Sequence, residues 1–170
     1  MNELKGKGND GTGNIPERDD WETPDELFEP LNKVYKFTFD CCATEKNTKC
    51  NKFSDDFLSV GDLSSELCWM NPPFSKAKEM FEHFFKVCEK GVAIYRCDNM
   101  ETKVWQEIIL PNATWIFIPK GRINYQYDPK LRQGKGTRFP SALIGYNVPA
   151  VKIFEGYFLF PKKNIHEVSN

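Results

Sequence analysis

Asn71-Pro72-Pro73-Phe74 follows directly on the apolar run Leu67-Cys68-Trp69-Met70. Read as the exit of a buried strand, this tetrapeptide is suited to holding an exocyclic amino group. The Asn71 side-chain oxygen and the Pro72 carbonyl can each accept one N–H of an amine. Pro72 and Pro73 fix φ and stiffen the turn, so both acceptors stay aimed. Phe74 supplies a face on which a planar base can stack. Together these describe a site that methylates an amino nitrogen, foremost on a nucleobase. The bland alternative is a stiff strand-exit turn.

Further candidate residues precede the tetrapeptide. Trp21-Glu22-Thr23-Pro24 comes first, then Phe39-Asp40-Cys41-Cys42-Ala43, then Asp55-Asp56-Phe57-Leu58. Asp40 falls near the end of a strand-like run, where a carboxylate can meet a ligand's ammonium or order the next loop. Asp55 and Asp56 also read as a solvated acidic turn, and Thr23-Pro24 as a helix start. Residues 120–138 hold Lys120, Arg122, Lys130, Arg132, Lys135 and Arg138 against a single acid, Asp128, with Tyr125 and Tyr127 interleaved. That composition suits phosphate contact and base-edge reading, with a solvated loop as the alternative.

The elements that position these residues alternate. A helix starting at Thr23-Pro24, with Thr23 as cap, carries Leu27, Phe28, Leu31 and Val34 on one face. Phe37 to Ala43 reads as a strand, residues 44–56 as irregular, and Leu67–Met70 as a second strand. Ser75 caps a helix that runs through Lys90 and stops at Gly91. Val92–Cys97, Thr114–Ile118, Ser141–Tyr146 and Val151–Phe160 are further strands, with a helix at Trp105–Leu110 that Pro111 ends. Strands alternating with helices predict an α/β domain with a mostly parallel sheet. Residues 1–19 read as a flexible tail, and 20–170 as a single domain.

Bulk properties narrow the class. A chain of 170 residues with fourteen Phe supports one domain with a real core. Its net charge of −1 means that any polyanion contact comes from a local patch. No apolar run approaches the roughly 20 residues of a membrane span, so no membrane role is expected. The six cysteines include no CxxC pair, and the two histidines lie far apart in sequence, so no metal site is expected. Reduced thiols and a polar N-terminus predict a cytoplasmic protein.

The order of these motifs resembles the small phage-type DNA N6-adenine methyltransferases, the Dam-like family, from residue 21 to about 146. The segments Lys120-Gly121-Arg122-Ile123 and Phe139-Pro140-Ser141 share the likeness. The resemblance implies a Rossmann-like class I fold dependent on S-adenosylmethionine, with helices on both faces of the sheet. It implies double-stranded DNA as partner, and protection of phage DNA from restriction within the cytoplasm of a bacterial host. By residue, it implies catalysis by Asn71, Pro72, Pro73 and Phe74. Thr23, Pro24, Asp40, Ala43, Asp56 and Phe57 would hold the cofactor, and the six basic residues of 120–138 would contact DNA. The first-strand loop Ala43-Thr44-Glu45-Lys46-Asn47 lacks the Gly-x-Gly of the wider class, as the phage-type family also tends to. The interval from Asp40 to Asn71 is short for three crossover units, so one helix or strand there is reduced. Two other readings remain: an amino-methyltransferase acting on RNA or protein, and a DNA-binding decoy that has lost its cofactor.

Overall fold

A computed structural model describes residues 21–125 and 139–161. Within them, helix α1 (Asp25–Tyr35) leads into strand β1 (Phe39–Asp40) and strand β2 (Lys52–Phe53). Strand β3 (Cys68–Met70) precedes helix α2 (Ala77–Val87) and strand β4 (Gly91–Arg96). A π-helical stretch (Val104–Ile109) runs into the short α3 (Leu110–Asn112), and strands β5 (Trp115–Pro119), β6 (Ser141–Tyr146) and β7 (Gly156–Leu159) complete the order. The expected flexible tail and most of the basic segment lie outside the described residues.

The seven strands form one mixed sheet in the order β2-β1-β3-β4-β6-β5-β7. β1 pairs in parallel with β2 and with β3, and β3 with β4. β6 runs antiparallel to both β4 and β5, and β7 antiparallel to β5. The α/β class expected from the alternation is present, but the sheet is mixed rather than mostly parallel: three pairings are parallel and three antiparallel, the latter gathered at one side where β6 reverses.

Helix α1 buries Leu27, Phe28, Leu31 and Tyr35. Val34, expected on that face, is instead 44% exposed. The four-residue step from Leu31 reaches Tyr35, whose hydroxyl donates to the Pro149 carbonyl at 2.7 Å. Thr23 does not cap the helix: extended Pro24 holds the cap position, and its carbonyl accepts from Leu27 and Phe28. Lys36, in the left-handed conformation, closes the other end with its N–H on Asn32.

Helix α2 also departs from expectation. Ser75 sits in a 3-10 turn (Phe74–Lys76), and the helix ends at Val87 rather than Lys90. Gly91 is not a helix stop but the first residue of β4. A β-carbon there would lie 2.5 Å from the Cys68 carbonyl oxygen and 2.9 Å from the Phe84 ring, so glycine lets β3, β4 and α2 pack closely. Pro111 falls inside α3 rather than ending the helix before it. β2, within the stretch read as irregular, is two exposed residues long.

The core lies between sheet and helices, with Trp69, Trp105, Trp115, Phe28, Phe57, Phe81 and Phe84 fully buried. At roughly 25 cal/mol per Å2 of apolar surface removed from water, these rings dominate the burial term. Among the described residues no helix is long and apolar enough to cross a membrane.

Candidate active site

β1 and β3 are parallel neighbours, with Asp40 in register with Trp69. Their carboxyl ends therefore open onto the same edge of the sheet, where open α/β sheets place ligands. Asp40 closes β1, and Asn71 is the first residue beyond β3. Between them lies a cavity of about 360 Å3 lined by Trp21, Glu22, Thr23, Asp40, Cys42, Ala43, Thr44, Asn47, Lys49, Asp55, Phe57, Trp69, Asn71, Pro73 and Met80. That volume falls in the range of small-molecule sites.

Asn71 is held in one orientation. Its Nδ2 donates to the Trp21 carbonyl at 2.7 Å. One amide hydrogen is thereby given to the protein, which sets the orientation of the group and of its acceptor Oδ1. Pro72 is buried and Pro73 half-buried, consistent with a stiffened exit from β3.

Asp40 is 3% exposed. Burial raises its carboxyl from the ordinary 3.8 to about 6, and backbone N–H groups of Lys49 and Cys42 offset part of that rise. The Lys49 N–H reaches Oδ2 at 2.9 Å. A desolvated carboxylate on a cavity wall gains most from a bound cation. The Lys49 ammonium itself pairs with Asp25 at the start of α1.

The glycine-free loop is built by side-chain turns. Asn47 Oδ1 accepts the Thr44 N–H at 2.7 Å, and the Asn47 and Thr48 N–H groups return to the Thr44 carbonyl. Among described non-glycine residues only Lys36 and Asn147 have positive φ, so this loop needs no glycine. The Ala43 N–H donates to the Ser54 carbonyl at 2.9 Å, and the Ser54 N–H to the Asp40 carbonyl at 3.0 Å. Those bonds bring the segment after β2, with Asp55 and Phe57, against the loop after β1.

Several expected residues meet at this cavity: Thr23, Asp40, Ala43, Phe57, Asn71 and Pro73. Pro24, Asp56, Pro72 and Phe74 lie beside it without forming its wall, and Asp55 rather than Asp56 supplies the carboxylate there. Phe74 is 7% exposed, with its ring set against Tyr95, Tyr125 and Phe139 at centroid distances of 5.6, 6.5 and 5.2 Å. Trp21 packs edge-on to the same Tyr125 and Phe139. Arg96 pairs with Asp98 and lies over the Phe139 ring.

The chain matches the profile of DNA N-6-adenine-methyltransferases (Dam) over residues 11–145. It belongs to that family. The matched region takes in every residue lining the cavity and runs into β6. Among curated proteins, this Dam-family chain is similar to the DNA N-6-adenine-methyltransferase of Haemophilus phage HP1, 36% identical over 63 residues. That alignment covers 35% of this chain and 36% of the phage protein, so the chain spans about a third of the length of the relative it matches.

Within the Dam-family chain, Tyr125 and Phe139 bracket the central part of the basic segment. Both are buried against Trp21 and Phe74, which places the described residues flanking that part beside the tetrapeptide. Lys120 is exposed and pairs with Glu155 at 3.0 Å, and Arg122 is exposed. Lys130, Arg132, Lys135 and Arg138 lie outside the described residues. The sequence reading did not single out Glu22, Lys49, Asp55 or Trp69 as site residues. Glu22 and Asp55 each lie within a motif already noted, and that is the available signal.

Proposed function

We propose that this chain methylates N6 of adenine in double-stranded DNA, with S-adenosylmethionine as donor. The observation that carries this reading is the hydrogen bond from Asn71 to the Trp21 carbonyl. It leaves Asn71 Oδ1 as an oriented acceptor on a cavity that also contains a buried, cation-seeking carboxylate. Family membership supports the same chemistry. The sheet order, with β6 reversed beside β4, supports a Rossmann-like class I fold with helices on both faces and a shortened stretch between β1 and β3.

The cavity residues fit the donor. S-adenosylmethionine supplies a transferable methyl group on a positively charged sulfonium. In this reading Asp40 faces its ammonium, and Thr23 and Ala43 hold the methionine end. Pro24 fixes Thr23 at the helix entry. Phe57 offers a ring to the adenosine, and Asp55 a carboxylate to its amino or hydroxyl groups.

Asn71 Oδ1 and the Pro72 carbonyl accept the two N6 hydrogens of the target base. Those bonds localise the nitrogen lone pair toward the methyl donor, so attack needs alignment rather than a strong base. The proton leaves afterwards to water. The base is extruded from the duplex at a cost of a few kcal/mol. To stack on Phe74 it must displace part of the Tyr125–Phe139 cluster, which ties base entry to the basic segment those rings anchor. Lys120, Arg122, Lys130, Arg132, Lys135 and Arg138 contact phosphates and base edges. Protection of phage DNA from restriction in a bacterial cytoplasm follows from the same reading.

Transfer of labelled methyl groups from S-adenosylmethionine to separate pools of duplex DNA, RNA and protein tests it. Label is expected in duplex DNA. Label confined to RNA or protein, or no binding of the donor by folded chain, contradicts the proposal.

A further inference from the structure

Cys41, Cys68 and Cys88 converge away from the cavity wall. Their sulfur atoms all lie within 4.8 Å of one another. All three thiols are free, with exposures of 0%, 0% and 3%. They arrive from three places: the bend after β1, the first residue of β3, and the residue that caps α2 after Val87. Asp40 and Cys42 line the cavity while Cys41 between them does not, so the trio adjoins the cavity through the backbone of β1 without forming its wall.

A single buried cysteine is ordinary core packing. Three from separate segments, brought sulfur to sulfur, form a donor set with the dimensions of a metal site. We propose that Cys41, Cys68 and Cys88 constitute a three-sulfur site for a soft metal ion of the Cu(I) class.

The donor chemistry selects the ion. Calcium and magnesium require oxygen ligands. Structural zinc takes four ligands, and catalytic zinc keeps an open position for water or substrate. Among the described residues no fourth His, Cys, Asp or Glu joins this group, and its burial denies water a coordinating position. Thiolate-only sites favour soft ions, and Cu(I) is satisfied by three sulfurs. Binding exchanges protons for metal: each thiol that becomes a ligand loses its proton to solvent, and no electron moves.

An ion here would tie β1, β3 and the α2–β4 connection together directly behind Asp40. The test uses the reduced full-length chain under anaerobic conditions, titrated with Cu(I) as its acetonitrile complex against a competing chelator. One Cu(I) per chain is expected, with thiolate-to-copper charge-transfer absorption, three sulfur neighbours by X-ray absorption, and a higher Tm. Cys68→Ala should weaken Cu(I) binding at least 100-fold, and Cys97→Ser should leave it unchanged. Because a core variant can unfold, alkylation mapping of the wild-type chain provides an independent readout. In partly denaturing buffer, copper should slow alkylation of Cys41, Cys68 and Cys88 relative to the metal-free chain and leave Cys97 equally reactive. Protection of other cysteines, a sulfur count of two or four, or undiminished binding by folded Cys68→Ala overturns the proposal. So does a preference for zinc held by four protein ligands.

Discussion

The Asn71 side-chain nitrogen donates to the Trp21 carbonyl oxygen at 2.7 Å, across fifty residues of chain. This bond joins the exit of β3 to the segment that enters α1, and it sets which end of the Asn71 amide faces the cavity. Asn71→Asp isolates that orienting role, because it keeps acceptor oxygens but removes the donor. One carboxylate oxygen would then face the Trp21 carbonyl without a hydrogen between them. We expect a loss of about 1–3 kcal/mol in stability and a fall of roughly 100-fold or more in methyl transfer. Thermal melting and a label-transfer assay check this. Near wild-type values in both would show that orientation by Trp21 is dispensable.

Asp40 predicts a pH dependence with a defined sign. Its folded-state carboxyl titrates near 6, above its ordinary 3.8. The folded chain thus holds a proton that the unfolded chain releases between about pH 4 and 6, and stability falls as pH rises through that window. Above pH 6 the desolvated charge costs the folded chain about 3 kcal/mol, an order-of-magnitude figure. Asp40→Asn should therefore melt higher than wild type at pH 7 and converge with it below about pH 4. Affinity for S-adenosylmethionine should move the other way. Wild type should weaken by up to about tenfold per pH unit below 6, while the variant binds poorly throughout. Denaturation and calorimetric titration from pH 4 to 8 provide both curves.

Adjacent acids with different placement give a sharper comparison. Asp55 lines the cavity and Asp56 does not, although both are exposed. Asp55→Ala should weaken S-adenosylmethionine binding by roughly tenfold, equivalent to about 1.4 kcal/mol. Asp56→Ala should change it less than twofold. Equal effects from the two variants would remove Asp55 from the proposed site.

How much of this was legible in the sequence depended on whether the signal was local. Asn71-Pro72-Pro73 and Asp40 stood out because each is a short run at the end of an apolar stretch, and both adjoin the cavity. The buried face of α1 was right to within one residue. Val34 and Tyr35 are both compatible with helical spacing from Leu31, and tertiary contacts separate them: Tyr35 packs on Phe37 and Trp115 and bonds Pro149 through its hydroxyl. β2 was invisible because two exposed residues carry no alternation. With β2 missed, the arrival of Asp55 at the cavity could not be foreseen. Gly91 was misread because a strand-opening glycine required by the Cys68 carbonyl looks locally like a helix stop. The meeting of Cys41, Cys68 and Cys88 left no regular spacing to detect, since parallel pairing of β1 and β3 and the turn after α2 create it.

The modified base is the most direct readout of the role of Asn71. Duplex DNA of mixed sequence, incubated with S-adenosylmethionine and either wild-type chain or Asn71→Ala, should be digested to nucleosides and analysed by mass spectrometry. N6-methyladenine is expected with the wild type and should fall by about 100-fold or more with the variant, while calorimetry shows the variant still binding the donor. Methyl groups on cytosine instead of adenine, or undiminished N6-methyladenine from Asn71→Ala, would contradict methylation of adenine N6 through Asn71.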